Sequence, residues 1–131
     1  MEIQKIVLFG EAEKGEFRTP HFCRELEQLV ELFGQPPADS RGLYYAIQAL
    51  MYKYPLIFFR VKEEGFSLPD YYFGLHLLQQ EELAKDLVAV CVPGIGTGEV
   101  LESVTALCQT YHSILITNEK DLYDYLTEKC A

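Results

Sequence analysis

The sequence predicts an α/β fold: a single Rossmann-like domain over residues 1–131, with a mostly parallel sheet of four to five strands and helices on both faces. Four short apolar runs, Ile3–Phe9, Leu56–Val61, Leu87–Val92 and Ser113–Thr117, lack the polar alternation of half-exposed strands and so have the character of strands buried on both sides. The segments between them carry apolar residues at helical spacing. A length of 131 residues suits one hydrophobic core.

The first run (IQKIVLF) stops at Gly10 and gives way to the polar loop GEAEKGEFR. Thr19-Pro20 reads as an N-cap followed by proline in the first helical turn, opening a helix whose Phe22, Leu26, Leu29, Val30 and Phe33 share a face. A short extra strand within Leu29–Phe33 is the alternative there, although the periodicity favours helix. Gly34 ends the segment, and the two prolines of QPPADS keep the connection irregular. Asp39 or Ser40 is placed to cap a second helix, with Leu43, Ala46, Ile47, Leu50 and Met51 inward and an end at Tyr54-Pro55.

The second strand (LIFFRV) closes on KEEG. SLPD then offers a cap and an early proline for a helix over Tyr71–Leu83, in which Gly74 costs up to about 1 kcal/mol. The third strand passes through PGIGTG into a helix over Gly98–Tyr111 that turns Val100, Leu101, Val104, Leu107 and Cys108 inward. SILIT forms the fourth strand, and Asn118 caps a last helix with Leu122, Tyr125 and Leu126 toward the sheet.

Formal net charge is −9, with 20 acidic against 11 basic residues and no Lys/Arg cluster. Such a field repels nucleic-acid backbones and anionic bilayers, so neither nucleic acid nor membrane is an expected partner. No apolar run approaches the roughly 20 residues of a bilayer span, and the first residues build no secretory signal; the expected location is cytoplasmic. Cys23, Cys91, Cys108 and Cys130 form no C-x-x-C pair, and no histidine stands at metal-ligand spacing. Buried, reduced thiols and no metal site are expected.

Ligands of open parallel sheets collect beyond the carboxyl ends of the strands, where strand order reverses. Here those ends are Gly10–Gly15, Lys62–Gly65, Pro93–Gly98 and Thr117–Lys120, and they are expected to meet on one rim. The Pro93–Gly98 stretch, lying between a strand and a helix start, aims backbone N–H groups and the positive end of the helix dipole into its turn. Gly10, Gly94, Gly96, Thr97 and Gly98 are therefore the candidate ligand-binding residues. An ordinary strand-to-helix connection with a threonine cap is the plain alternative. Eight glutamates (Glu11, Glu13, Glu16, Glu63, Glu64, Glu99, Glu102, Glu119) crowd this rim against Lys14, Arg18, Lys62 and Lys120. No cofactor is required by any motif, but a phosphorylated ligand would call for Mg²⁺ among such charges, while one or two carboxylates could hold ribose hydroxyls or activate water.

Within this order of elements, PGIGTGEVLE resembles the P-G-G-x-G-T-x-x-E segment of the Lonely Guy (LOG), or lysine decarboxylase-like, family of the SLOG superfamily, through Pro93, Gly94, Gly96 and Thr97. IVLFGEAEKGE is similar to the family's first strand and glycine/serine loop. RGLYYAIQALMYKYPLIFFRVKEEG is similar to its G-L-M-x-A-V helix and next strand, and SILITNEKDLYDYL to its closing strand and helix. The resemblance implies a dimeric nucleoside 5′-monophosphate phosphoribohydrolase. In such a protein Gly94, Gly96, Thr97 and Gly98 would hold phosphate, and Glu99 or Glu102 would be the catalytic carboxylate acting on ribose or water. Val100 stands where the motif carries its glutamate, and a shift of one or two residues turns a helical side chain by roughly 100–200°. The family's R-K pair has no counterpart in Pro69–Gln80. The expectation is thus nucleotide binding more than hydrolysis.

A different class of function is also open, a non-catalytic interaction or structural module. Adjacent helical residues cannot share a core face, so one tyrosine of each pair Tyr44-Tyr45 and Tyr71-Tyr72 should be exposed, offering a homodimer or protein-partner surface on the tyrosine-rich helices alongside the acidic rim. His112, after Tyr111 at a helix end, is expected to cap, and Cys23 near His21 is a weak nucleophile candidate.

Overall fold

The computed structural model describes residues 4–80, 86–95 and 98–130, the last three by backbone alone. Strand β1 (Lys5–Gly10) is the middle of a five-stranded sheet. It pairs in parallel with β3 (Leu56–Arg60) on one side and with β4 (Leu87–Cys91) on the other, and β5 (Ile114–Ile116) continues in parallel beyond β4. A three-residue strand, β2 (His21–Cys23), runs antiparallel along the outer edge of β3. The order is β2-β3-β1-β4-β5. A domain of the expected Rossmann-like α/β class results.

Helices cover both faces because the strands bury side chains on both. Ile6 and Leu8 of β1 point to one core with α1 (Leu26–Phe33), α2 (Gly42–Met51) and α5 (Glu119–Cys130). Val7 and Phe9 point to the other with α3 (Leu68–Gln80) and α4 (Gly98–Tyr111), where the Phe9 ring stacks on Phe59 and Tyr71 with centroids 4.9 and 5.3 Å away. Gly74 has a packing reason: a Cβ there would stand 2.5 Å from the Phe9 ring. Among the described residues no helix is long and apolar enough to cross a membrane.

The segment after Thr19-Pro20 departs from the expected helix. Residues 21–23 are extended instead, because the outer edge of β3 carries backbone groups that need partners, and His21–Cys23 supplies them from His21↔Phe58 to Cys23↔Leu56. Helix α1 begins only at Leu26, where Gln28 Oε1 accepts from the Arg24 and Glu25 N–H groups. Consequently Phe22, Leu26 and Val30 face solvent, and Leu29 and Phe33 alone of that set reach the core. Leu29–Phe33 holds no strand and is helical as the periodicity indicated; the fifth strand is His21–Cys23, where a helix was expected.

Nor is α2 capped locally. Ser40 Oγ donates to the Pro37 carbonyl at 2.7 Å, Asp39 takes a left-handed backbone at φ +63°, and the cap comes from Glu64. Met51, expected inside, is exposed. Asn118 does cap α5, accepting from Asp121 N–H at 2.9 Å, and His112 adopts the left-handed conformation (φ +57°) that ends α4. Residues 81–85, at the expected end of the helix over Tyr71–Leu83, and Ile3 lie outside the described residues.

Burial decides the behaviour of the thiols. Cys23 and Cys108 are pushed up to about 11 by loss of solvation, and Cys91 is raised further by the same cause. A group whose folded pKa exceeds its unfolded value contributes its full stability below the unfolded pKa and loses it as pH rises through the folded one. Stability is therefore expected to hold to about pH 8.5. It should then fall by about 2 kcal/mol for each of Cys23 and Cys108 between pH 9 and 11. Urea titrations across that range, in reductant, check this; a Cys23→Ala/Cys108→Ala variant should lose less between the same two pH values.

Candidate functional site

Strand order reverses at β1: the chain goes first to β2 and β3 on one side and then crosses to β4 and β5 on the other. The crevice beyond the carboxyl ends of β1 and β4 is the place this topology offers a ligand. The ends of β1, β3 and β4 meet there, through hydrogen bonds between Glu11 and Glu64 and the close approach of Gly65 to Gly94, while Glu119, after β5, is linked to Gln48 of α2.

The β1 end and the start of α2 touch backbone to backbone. A Cβ on Gly10 would stand 2.7 Å from Gly42 Cα, and one on Gly42 would stand 2.6 Å from Gly10 Cα. Beside this contact the Glu64 carboxylate gathers three N–H groups: Oε1 accepts from Arg41 at 2.8 Å, and Oε2 accepts from Gly42 at 3.0 Å and Glu11 at 2.9 Å. Glu11 answers by accepting the Glu64 N–H at 2.9 Å. The positive end of α2 thus already holds an anion, and it belongs to the protein. A ligand phosphate has no vacant cradle at Gly10.

Two further side chains fix the neighbouring loops. Arg60 donates to the Gly15 and Ala12 carbonyls at 2.6 and 3.0 Å while lying over the Phe17 ring, which shapes the loop after β1. Asp70, almost wholly buried, accepts from Lys62 N–H at 3.0 Å and from Arg18 Nε at 3.2 Å. In the loop between β3 and α3, the Gly65 N–H donates to Tyr71 Oη at 2.7 Å. Gly65 also lies directly on Gly94: a Cβ at Gly65 would collide with the Gly94 carbonyl. The turn after β4 is therefore braced by the loop after β3.

In that turn Pro93 is buried, and Gly94 is exposed with φ +80°. Gly96 and Thr97 lie outside the described residues. Gly98 opens α4 with open space where a Cβ would be. Glu99 and Glu102 are exposed, and Val100 between them is fully buried, so the motif's glutamate position faces the core.

A cleft of about 390 Å³ lies on the same rim between α2 and the start of α5, lined by Arg41, Tyr44, Tyr45, Gln48 and Glu119. The tyrosine doublets divide as their spacing requires: Tyr44 is 55% exposed and Tyr45 2%, Tyr72 37% and Tyr71 0%. The cleft as a unit was not legible in the sequence. Gln48, a polar residue among the inward positions of α2, was the available signal.

Cys23 is buried with its thiol held protonated, and His21 is occupied edge-on against Phe33, with Nε2 3.1 Å from the Glu16 carbonyl. Among the described residues no three His, Cys, Asp or Glu side chains come together to hold a metal ion. Compared with protein-family models, with characterised proteins and with solved structures, the chain matches none.

Proposed function

We propose that this domain binds a nucleotide or another phosphorylated nucleoside-like ligand across the rim, with the phosphate at the turn after β4. The observation that carries this reading is the strand order, which reverses at β1 with Gly94, the start of α4 and the α2–α5 cleft at the carboxyl ends of the strands. The LOG-like PGIGT segment supports the same assignment. Because Glu64 fills the cradle at α2, the phosphate falls to the N–H groups of the Gly94–Gly98 turn. Mg²⁺ would offset the surrounding glutamates. Binding rather than hydrolysis is the activity assigned, since Glu99 and Glu102 are turned to solvent.

Thermal-shift titration with adenosine and guanosine monophosphates, with and without Mg²⁺, tests this. At a hundredfold excess over Kd the stabilisation is about 2.7 kcal/mol, which raises Tm by roughly 8 °C for a domain of this size. Thr97→Val should remove most of the shift. No stabilisation by any nucleotide, with no loss in Thr97→Val, overturns the reading. Exposed Phe66, Tyr72 and Phe73 around the start of α3 favour as second reading a partner or homodimer surface there, and exposed Tyr44 offers a separate one on the α2 face. Absence of a shift alongside a mass above the monomer in light scattering would select it.

A further inference from the structure

The α2–α5 cleft contains two polar atoms that the protein itself does not satisfy. Tyr45 Oη and Gln48 Oε1 are both buried with no hydrogen-bond partner, and Tyr45 as a whole is only 2% exposed. Buried polar groups are rarely left in that state, because each forfeits its hydration without return.

Their chemistry specifies what would satisfy them. Gln48 Nε2 donates to Glu119 Oε1 at 3.0 Å. A reversed amide would set two oxygens against each other, so the carbonyl oxygen is the atom turned to the cleft, and it needs a donor. The Arg41 guanidinium lies beside the Tyr45 phenol and lowers its pKa by its charge and by side-chain contact, against the stronger upward push of burial. Facing a group that can only donate, the phenol turns its lone pair toward Arg41 and its proton away, and that proton needs an acceptor. Residues 45 and 48 are neighbours on one helical face. Tyr44, 55% exposed beside them, presents a ring for stacking.

We infer that the cleft seats a planar heterocycle through an edge carrying an acceptor beside an N–H donor, an amide or amidine edge of the kind nucleobases present. Tyr45 donates to the acceptor, Gln48 Oε1 accepts the N–H, and Tyr44 covers the ring face. Arg41 and Tyr44, both exposed, move aside to admit it. This rests on the nucleotide reading above and deepens it by placing the base.

Calorimetry with adenosine monophosphate, adenosine, purine riboside and ribose 5-phosphate on the wild type, Tyr45→Phe, Gln48→Met and Thr97→Val tests the assignment. Each cleft variant should weaken adenosine and its monophosphate at least tenfold and leave ribose 5-phosphate unchanged. Purine riboside, which lacks the exocyclic donor, should bind at least tenfold more weakly than adenosine to the wild type. Tyr45→Phe should keep or raise the ligand-free Tm, because it removes an unsatisfied oxygen, which guards against misfolding as the cause. Ribose 5-phosphate binding that depends on Thr97, with the cleft variants within twofold of wild type for adenosine monophosphate, overturns the cleft and spares the phosphate site. Adenosine binding that depends on Tyr45, with Thr97→Val silent, does the reverse. No binding by any of the four overturns both.

Discussion

Glu64→Ala is expected to lower the unfolding free energy by about 3 kcal/mol. The side chain satisfies N–H groups of Arg41, Gly42 and Glu11 at 2.8–3.0 Å, two of them at the start of α2, and among the described residues no other side chain caps that helix. A hydrogen bond to a charged group contributes about 1.5–3 kcal/mol, and loss of a helix cap costs about 1 kcal/mol. Partial hydration of the opened rim brings the total below the simple sum. Glu64→Gln keeps one acceptor oxygen and should cost about half as much. Urea unfolding reads both, as a lower midpoint at unchanged slope. A loss below about 1 kcal/mol for alanine would mean that the carboxylate does not hold the β1 and α2 ends together.

Gly10→Ala should cost a similar amount, about 2–4 kcal/mol, by a different route. Its Cβ would meet Gly42 Cα at 2.7 Å and the Phe58 ring at 3.2 Å. The nearer contact is backbone, so nothing can rotate out of the way and α2 must retreat from β1. That retreat also lengthens the Glu64 hydrogen bonds, which span the same two ends. The double variant with Glu64→Ala is therefore expected to lose clearly less than the sum of the singles. Strict additivity would show that the glycine contact and the carboxylate act independently.

How much of this could be read from the residues follows from the range of the interactions involved. Four parallel strands and the helices over Gly42–Met51, Gly98–Tyr111 and Glu119–Cys130 were legible because each is written in a local apolar pattern. His21–Cys23 was not: three residues show no period, and what makes them extended is the unpaired edge of Leu56–Phe58, more than thirty positions away. The same holds for the cap of α2. Asp39 and Ser40 stand in the expected local position, whereas the true acceptor, Glu64, lies 22 residues beyond Gly42. At the rim, spacing alone located the segments at the strand ends, and the tyrosine doublets foretold that one member of each would be exposed. It could not foretell that Tyr45 would be left without a partner beside Gln48, since that depends on how Glu119 and Arg41 sit across the cleft.

The central claim, a nucleotide seated across the β4 turn and the α2–α5 cleft, is tested most directly by following backbone amide resonances during titration with adenosine monophosphate. Saturable shifts should concentrate at Gly94, Gly98, Tyr45, Gln48 and Glu119, and leave the outer face at Phe22, Leu26 and Val30 unchanged. No saturable shift, or shifts confined to that outer face, would contradict it.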